Sequence, residues 1–221
     1  MRSWWRGSLA AGVAALVLAV LAPSGAYGQG KTKEVSFRTA DGVTLQGTLY
    51  PASGKKSKDA VVMILHDFDH KKGGGSNQAG WGDLAKDLQD NGYAVLTFDF
   101  RGFGNSKEVS KEAFWDRKNR HNTGANPKAN PNKPSDTIDQ KNFTSNYYAY
   151  LVYDVAAAKA FLDRANDRKE VNSSNLVIIG AGQGATVGAM WVANECYRRR
   201  AKNSQDKFAQ PELGEIGRAH V

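Results

Sequence analysis

The sequence is poor in the residues that hold metals and close disulfides. It has one cysteine, Cys196, in 221 residues. An internal disulfide and a cysteine-based zinc cluster are therefore excluded. It has four histidines, His66, His70, His121 and His220, so every histidine-dependent chemistry must draw on these four. It has no apolar run long enough for a comfortable membrane span of about 20 residues. It also lacks the compositional bias of a disordered or collagen-like chain, since apolar residues make up 41% and charged residues 24%. The length suits one domain with an insertion.

The ends of the chain read differently from its middle. Arg2 and Arg6 form a basic start, Leu9 to Ala22 is an uncharged apolar run, and small residues follow at Ser24, Ala26 and Gly28. That is the pattern of a cleaved signal peptide over residues 1–28, with an uncleaved anchor as the alternative. It predicts export to the periplasm or the extracellular space, with no stable membrane span after cleavage. Removing it takes away two arginines and no acid, so the formal charge falls from +8 to +6. The remaining basic clusters, Lys55-Lys56-Ser57-Lys58, Lys71-Lys72 and Arg198-Arg199-Arg200, have no interleaved aromatics. They read as solvated faces, and nucleic acid is not an expected partner. Glu215 to Val221 back-translates to a common sequencing-adapter read and is taken as a non-native tail, which would make His220 an artefact.

Between these ends the chain alternates strands with helices. Lys33 to Thr39 and Val43 to Tyr50 alternate apolar and polar residues around Asp41-Gly42, which predicts a β-hairpin. Ala60 to Leu65, Tyr93 to Phe98 and Asn175 to Ile179 are continuous apolar runs, the pattern of strands covered on both faces. Trp81, Leu84, Ala85 and Leu88 share one helix face, and Asn91-Gly92 stops that helix. Further helices are expected from about Tyr147 to Ala165 and from Ala185 to Tyr197. Residues 107–146 break the rhythm with seven asparagines, eight basic residues and Pro127, Pro131 and Pro134. They read as a long surface excursion, partly disordered. The order predicts an α/β fold: a mostly parallel sheet with an N-terminal antiparallel hairpin and helices on both faces.

Four segments carry a resemblance to a known family. Thr39 to Leu45 with Gly47 resembles its opening hairpin. Leu65-His66-Asp67-Phe68 resembles its strand-ending His-Gly loop. Asp99-Phe100-Arg101-Gly102-Phe103-Gly104-Asn105-Ser106 matches its Asp-x-Arg-Gly-x-Gly-x-Ser signature. Ile179 to Ala185 stands where its nucleophile elbow belongs. From Val35 to Tyr197 the chain resembles the α/β-hydrolase family, in the subset of serine aminopeptidase-like and acyl-ester hydrolases. The resemblance implies a partial α/β-hydrolase domain over residues 29–214, incomplete at its C-terminus. It also implies exposed strand edges, so that residues 29–214 alone are expected to be insoluble or molten.

The same resemblance locates a catalytic vacancy. The family's elbow reads Gly-x-Ser-x-Gly. Here it reads Gly180-Ala181-Gly182-Gln183-Gly184. Gly182 holds the nucleophile position and has no side chain to attack with. The acid and histidine should follow the elbow. The acids available there are Glu195, Asp206, Glu212 and Glu215, and the histidine is His220. No catalytic residue is assignable. The backbone N–H groups of Phe68 and Gln183 stand where the family's oxyanion hole would be. Asp67 replaces the usual glycine in that loop, and its carboxylate would repel an oxyanion if it pointed inward.

Gly180-x-Gly182-x-x-Ala185 fits a dinucleotide fingerprint, but Arg200 to Gln205, where its acid-bearing strand should lie, is polar and basic. His66-Asp67-Phe68-Asp69-His70 offers metal-ligand types without a third anchored ligand. No cofactor or metal is expected. Asp99 and Arg101 read as loop-shaping residues, and Ser106 and Thr186 as caps or surface hydroxyls. The sequence thus predicts an exported, non-catalytic hydrolase homologue that binds a small acyl or peptide ligand. The alternative is a hydrolase of esters or peptides with an unrecognised nucleophile.

Overall fold

The structure is a computed structural model, and it describes residues 31–52, 60–69, 72–130 and 133–203. The signal segment, the C-terminal tail with His220, the Lys55–Lys58 cluster and His70 lie outside the described residues.

The chain opens with a hairpin. Strands β1 (Lys33–Arg38) and β2 (Thr44–Tyr50) pair antiparallel. Their turn is closed by Thr39, whose hydroxyl donates to Asp41 Oδ1 at 2.6 Å and accepts from the Val43 N–H at 2.9 Å. β3 (Val61–Leu65) follows, then a two-stranded ribbon of β4 (Phe68–Asp69) and β5 (Gly73–Gly74). Helix α1 (Trp81–Asp90) ends where Asn91-Gly92 predicts, with the Tyr93 N–H donating back to Leu88. After β6 (Ala94–Phe98) come the short helix α2 (Lys111–Phe114) and three 3₁₀ segments, Arg117–Ala125, Gln140–Asn142 and Ser145–Leu151. Helix α3 (Val152–Asp167), β7 (Leu176–Gly180) and helix α4 (Gly182–Asn203) complete the described chain.

The sheet order is β1-β2-β6-β3-β7. β2 meets β6 antiparallel, whereas β6, β3 and β7 run parallel. Every residue of β3 and β6 is buried, as their continuous apolar runs require. The two-residue period of a strand then divides the core. Val62 and Ile64 pack with Ala85 and Val95 under α1. Val61, Met63 and Leu65 join the larger cluster with Leu162, Val187 and Trp191 under α3 and α4. Helices therefore cover both faces, and the strand ends of β3, β6 and β7 converge at one edge of the molecule.

Two sequence expectations change. Residues 107–130 and 133–146 are not a loose excursion. Val109, Phe114, Ala125, Ile138 and Phe143 all enter the main core. Isolated bridges Val43–Val109 and Glu108–Thr137 stitch the segment to the hairpin and to itself. Two of its asparagines serve as backbone partners: Asn119 Nδ2 donates to Ala113 O and Asn122 Nδ2 to Phe114 O. The second change is at α3, whose expected first turn is a 3₁₀ segment. Tyr147 is buried in it and reaches inward to Arg101, and the tighter turn is a common helix entry.

Candidate functional site

The site forms where β3 and β7 end. The turn from β7 into α4 is sharp, and Gly182 adopts φ +50°, a conformation that favours glycine. Gly184 has a different constraint. A Cβ there would lie 2.8 Å from the Leu65 carbonyl oxygen and closer still to that of His66. The helix start is thus pressed against the end of β3. This is the strand–turn–helix elbow that the sequence predicts, with glycine at its apex.

Asp67 points into it. Its Oδ1 accepts the Phe68 N–H at 2.8 Å and the Gln183 N–H at 2.9 Å. These are the two backbone donors that the sequence singles out. They do converge, but on a carboxylate the protein itself supplies. A Cβ on Gly182 would lie 2.5 Å from the Asp67 carboxyl carbon and nearer still to Oδ1. The carboxylate therefore fills the space of the missing side chain as well as the amide cradle. A negative group beside the amides of a helix N-terminus is stabilised there. The same charge opposes a pyrophosphate at this helix start, which argues against the dinucleotide reading.

His66 is not free to act as a base. It is buried, and its Nε2 accepts the Phe100 N–H at 3.1 Å. Its Nδ1 faces the Asp67 carbonyl at 2.8 Å, so Nδ1 carries the proton. Rings of Phe68, Phe100 and Phe103 meet it edge-on. Burial lowers its pKa and keeps it neutral, outweighing the Asp67 carbonyl and the Asp99 and Asp67 charges, which pull the other way. Both ring nitrogens are engaged, so His66 offers nothing to a metal. Among the described residues no group of three His, Cys, Asp or Glu is placed to hold a metal ion.

The Arg-Gly signature is structural. Asp99 Oδ1 accepts the Ser76 N–H at 2.7 Å and hydroxyl at 2.8 Å, and its Oδ2 accepts the Asn105 N–H at 2.9 Å. Arg101 is fully buried between two carboxylates. Its Nε donates to Asp154 at 2.7 Å, and Nη1 and Nη2 donate to Asp41 at 2.7 and 3.0 Å. Nη1 also donates to the Tyr147 hydroxyl at 3.0 Å. One guanidinium cannot neutralise both acids. Asp41 is held well below the usual carboxylate range: burial works against this, and the Arg101 charge with bonds from His121, Arg101 and Thr39 overcomes it. Asp154 is pushed up to about 6 by burial, which outweighs the pull of Arg101. This cluster ties the hairpin turn, the signature loop and α3 together.

The remaining candidates separate. Ser106 is neither cap nor surface group. It is buried, and its Oγ accepts the Gln46 N–H at 2.9 Å, locking the signature loop to β2. Thr186 is exposed and donates to Gly182 O within the first turn of α4. Glu195 is buried along α4 and pairs with Arg198 at 2.5 Å. His121 stacks on Tyr150 with ring centroids 4.4 Å apart, with Nε2 3.5 Å from Asp41 Oδ2. Neither Glu195 nor His121 bonds to the elbow among the described residues. In the sequence, Asp67 and Gly182 are two separate departures from the family pattern. The signal that links them is that both occur at once, on the two loops that build one cradle.

A mixed sheet of this order, an elbow at the end of its last described strand and two backbone donors converging beside it define the α/β-hydrolase class. The model of the α/β-hydrolase fold family matches residues 72–203, and the chain belongs to that family. The uncharacterised protein YfhR of Escherichia coli K12 is 33% identical over 81 residues, which cover 37% of this chain and 27% of that protein. Among solved structures, similarity extends to XC6422 of Xanthomonas campestris, described as a serine hydrolase without a lid. It is 14% identical, covers 74% of this chain and 56% of its own, and has a TM-score of 0.47. The α/β-hydrolase GrgF from Penicillium is 20% identical, covers 74% and 42%, and has a TM-score of 0.48. An esterase of Pyrococcus furiosus is 20% identical, covers 73% and 45%, and has a TM-score of 0.46. The chain thus spans about a quarter of YfhR and about half of these solved neighbours.

Proposed function

We propose that this protein is an exported, non-catalytic α/β-hydrolase homologue that uses its cleft for binding. The observation that carries this reading is the elbow itself. Gly182 offers no nucleophile, and the Asp67 carboxylate occupies the cradle that would stabilise a tetrahedral oxyanion. His66, the one described histidine at this end of the sheet, has no nitrogen left for proton transfer. Removing nucleophile and oxyanion stabilisation together leaves no route for acyl transfer. Export rests on the basic and apolar pattern of residues 1–28. Purified protein is expected to show no turnover of short p-nitrophenyl esters and no labelling by a serine-reactive phosphonate. Turnover that survives Gln183→Ala but is abolished by the phosphonate would overturn the reading and restore a hydrolase of esters or peptides.

A further inference from the structure

The excess positive charge of the chain is concentrated in one stretch. Between residues 117 and 135 there are five basic residues, Arg117, Lys118, Arg120, Lys128 and Lys133, and no acid. With His121 counted neutral, that is +5 of the +6 formal charge that remains beyond residue 28. The rest of that chain is almost balanced. All five basic residues are exposed.

The acids at the borders of the stretch do not neutralise it. Asp116 Oδ1 accepts the Lys118 backbone N–H at 2.8 Å, which caps the 3₁₀ segment. Asp136 pairs with Lys111 at 3.3 Å and Asp139 with Lys107 at 2.8 Å, so both acids face cations outside the stretch. None of the five basic residues forms an ion pair among the described residues. Elsewhere Lys33, Lys86, Lys159 and Arg168 each face a carboxylate.

The arginines are also held in place. Asn119 Nδ2 bonds to Ala113 O, Asn122 Nδ2 to Phe114 O, and the Tyr147 hydroxyl donates to Asn122 Oδ1 at 3.0 Å. Ala125 is fully buried. The backbone under Arg117, Lys118 and Arg120 is therefore ordered before any partner arrives, which lowers the entropic cost of binding. What the stretch lacks narrows the partner. The large hydrophobics exposed among the described residues are Val177, Met190 and Tyr197, on β7 and α4. The stretch thus offers no apolar wedge to a bilayer and no exposed aromatic face on which bases would stack. A hydrated polymer carrying carboxylates fits what is there, since arginine forks take carboxylates in bidentate fashion.

We infer that Arg117, Lys118, Arg120, Lys128 and Lys133 form a docking surface for an acidic polysaccharide. The surface is independent of the elbow. It takes from the proposed function only the export that would bring the chain to such polymers.

The test is binding of the full chain to polygalacturonate, measured by calorimetry at about 50 mM and about 500 mM salt, where screening shortens the reach of each charge. Wild type is expected to bind at low salt, to release at high salt and to ignore neutral dextran. The triple variant Arg117→Gln, Lys118→Gln, Arg120→Gln should bind about tenfold or more weakly, the loss of three surface charge contacts. A charge-matched control, Arg38→Gln, Arg164→Gln, Lys169→Gln, removes three exposed cations from other parts of the chain and should stay within about twofold of wild type. No binding by wild type, or equal losses in the two triple variants, would overturn the inference. Tighter binding to phosphatidylglycerol vesicles or to duplex DNA than to polygalacturonate would also overturn it, by giving the surface to a membrane or a nucleic acid. None of these readings involves ester turnover or phosphonate labelling, so failure here is distinct from failure of the non-catalytic reading.

Discussion

The carboxylate of Asp67 and the bare Cα of Gly182 occupy one another's space. A side chain on residue 182 would begin 2.5 Å from the Asp67 carboxyl carbon and 2.8 Å from Oδ2. A side chain at residue 182 therefore meets this carboxylate as long as Asp67 is in place. Gly182→Ser alone places a non-glycine residue at φ +50° and drives it into the carboxylate. The conformation costs about 1–2 kcal/mol and the overpacking about 1–3 more. The double variant Gly182→Ser with Asp67→Gly removes the clash and keeps only the conformational cost. Urea unfolding should rank wild type above the double variant and the double variant above the single one. A single variant as stable as wild type would refute this packing.

Arg101 is fully buried, and two buried acids depend on its charge. Its five hydrogen bonds reach Asp41, Asp154 and Tyr147. Arg101→Ala leaves two buried carboxylates without a counter-charge, a loss of about 3–5 kcal/mol. Arg101→Lys keeps the charge but not the planar fork that serves both acids. Its urea midpoint should fall between those of wild type and Arg101→Ala. Equal midpoints for Lys and Arg would mean that charge alone, and not the fork, holds the cluster.

What the sequence could show was set by locality. The runs at β3 and β6, the Asp41-Gly42 turn and the Asn91-Gly92 stop are short-range signals, and each lies where it was expected. Gly182 at the elbow was legible for the same reason. The occupancy of the cradle was not, because Asp67 and Gln183 are 116 residues apart and meet only once β3 and β7 are neighbours. Residues 107–146 misled by composition. Asparagine and proline signal turns, but Phe114, Ile138 and Phe143 are spaced too irregularly for either helix or strand period to reveal one buried side. Ser106 misled similarly: its partner is Gln46, 60 residues away.

Stability against pH should report two opposing groups. Asp154 has a folded pKa of about 6, above an unfolded value of about 3.9. Between these values the folded state holds more protons, so Asp154 makes stability fall as pH rises. His66 has a folded pKa below its unfolded value of about 6.5. There the unfolded state holds more protons, so His66 makes stability rise with pH. Each contributes a slope of at most about 1.4 kcal/mol per pH unit, of opposite sign. Asp154→Asn removes the falling contribution between about pH 4 and 6, so across that window its stability should rise more steeply, or fall less steeply, with pH than that of wild type. Asp41, with its pKa depressed, acts below this window, supporting stability above about pH 4 and losing it towards strong acid. Urea titrations at several pH values would settle the signs, and an unchanged slope in Asp154→Asn would contradict the assignment.

The core role of residues 107–146 predicts a contrast within one segment. Phe114 is fully buried, and its ring packs edge-on against Trp115, whose Nε1 donates to Ser135 O at 2.8 Å. Gly42 lies close enough that a Cβ there would touch Ala113 Cβ at 2.8 Å, so this helix end is pressed onto the hairpin turn that holds Asp41. Phe114→Ala should therefore cost about 3–5 kcal/mol, the range for a truncated core aromatic. It should also loosen the Arg101 cluster through the turn. Lys128→Ala, at an exposed position of the same segment, should change stability by no more than about 0.5 kcal/mol. Limited proteolysis gives an independent reading. If the segment is part of the core, cleavage within residues 107–130 should require global unfolding in wild type and become rapid in Phe114→Ala. Equal cleavage rates in the two proteins would return the segment to the loose excursion its composition suggests.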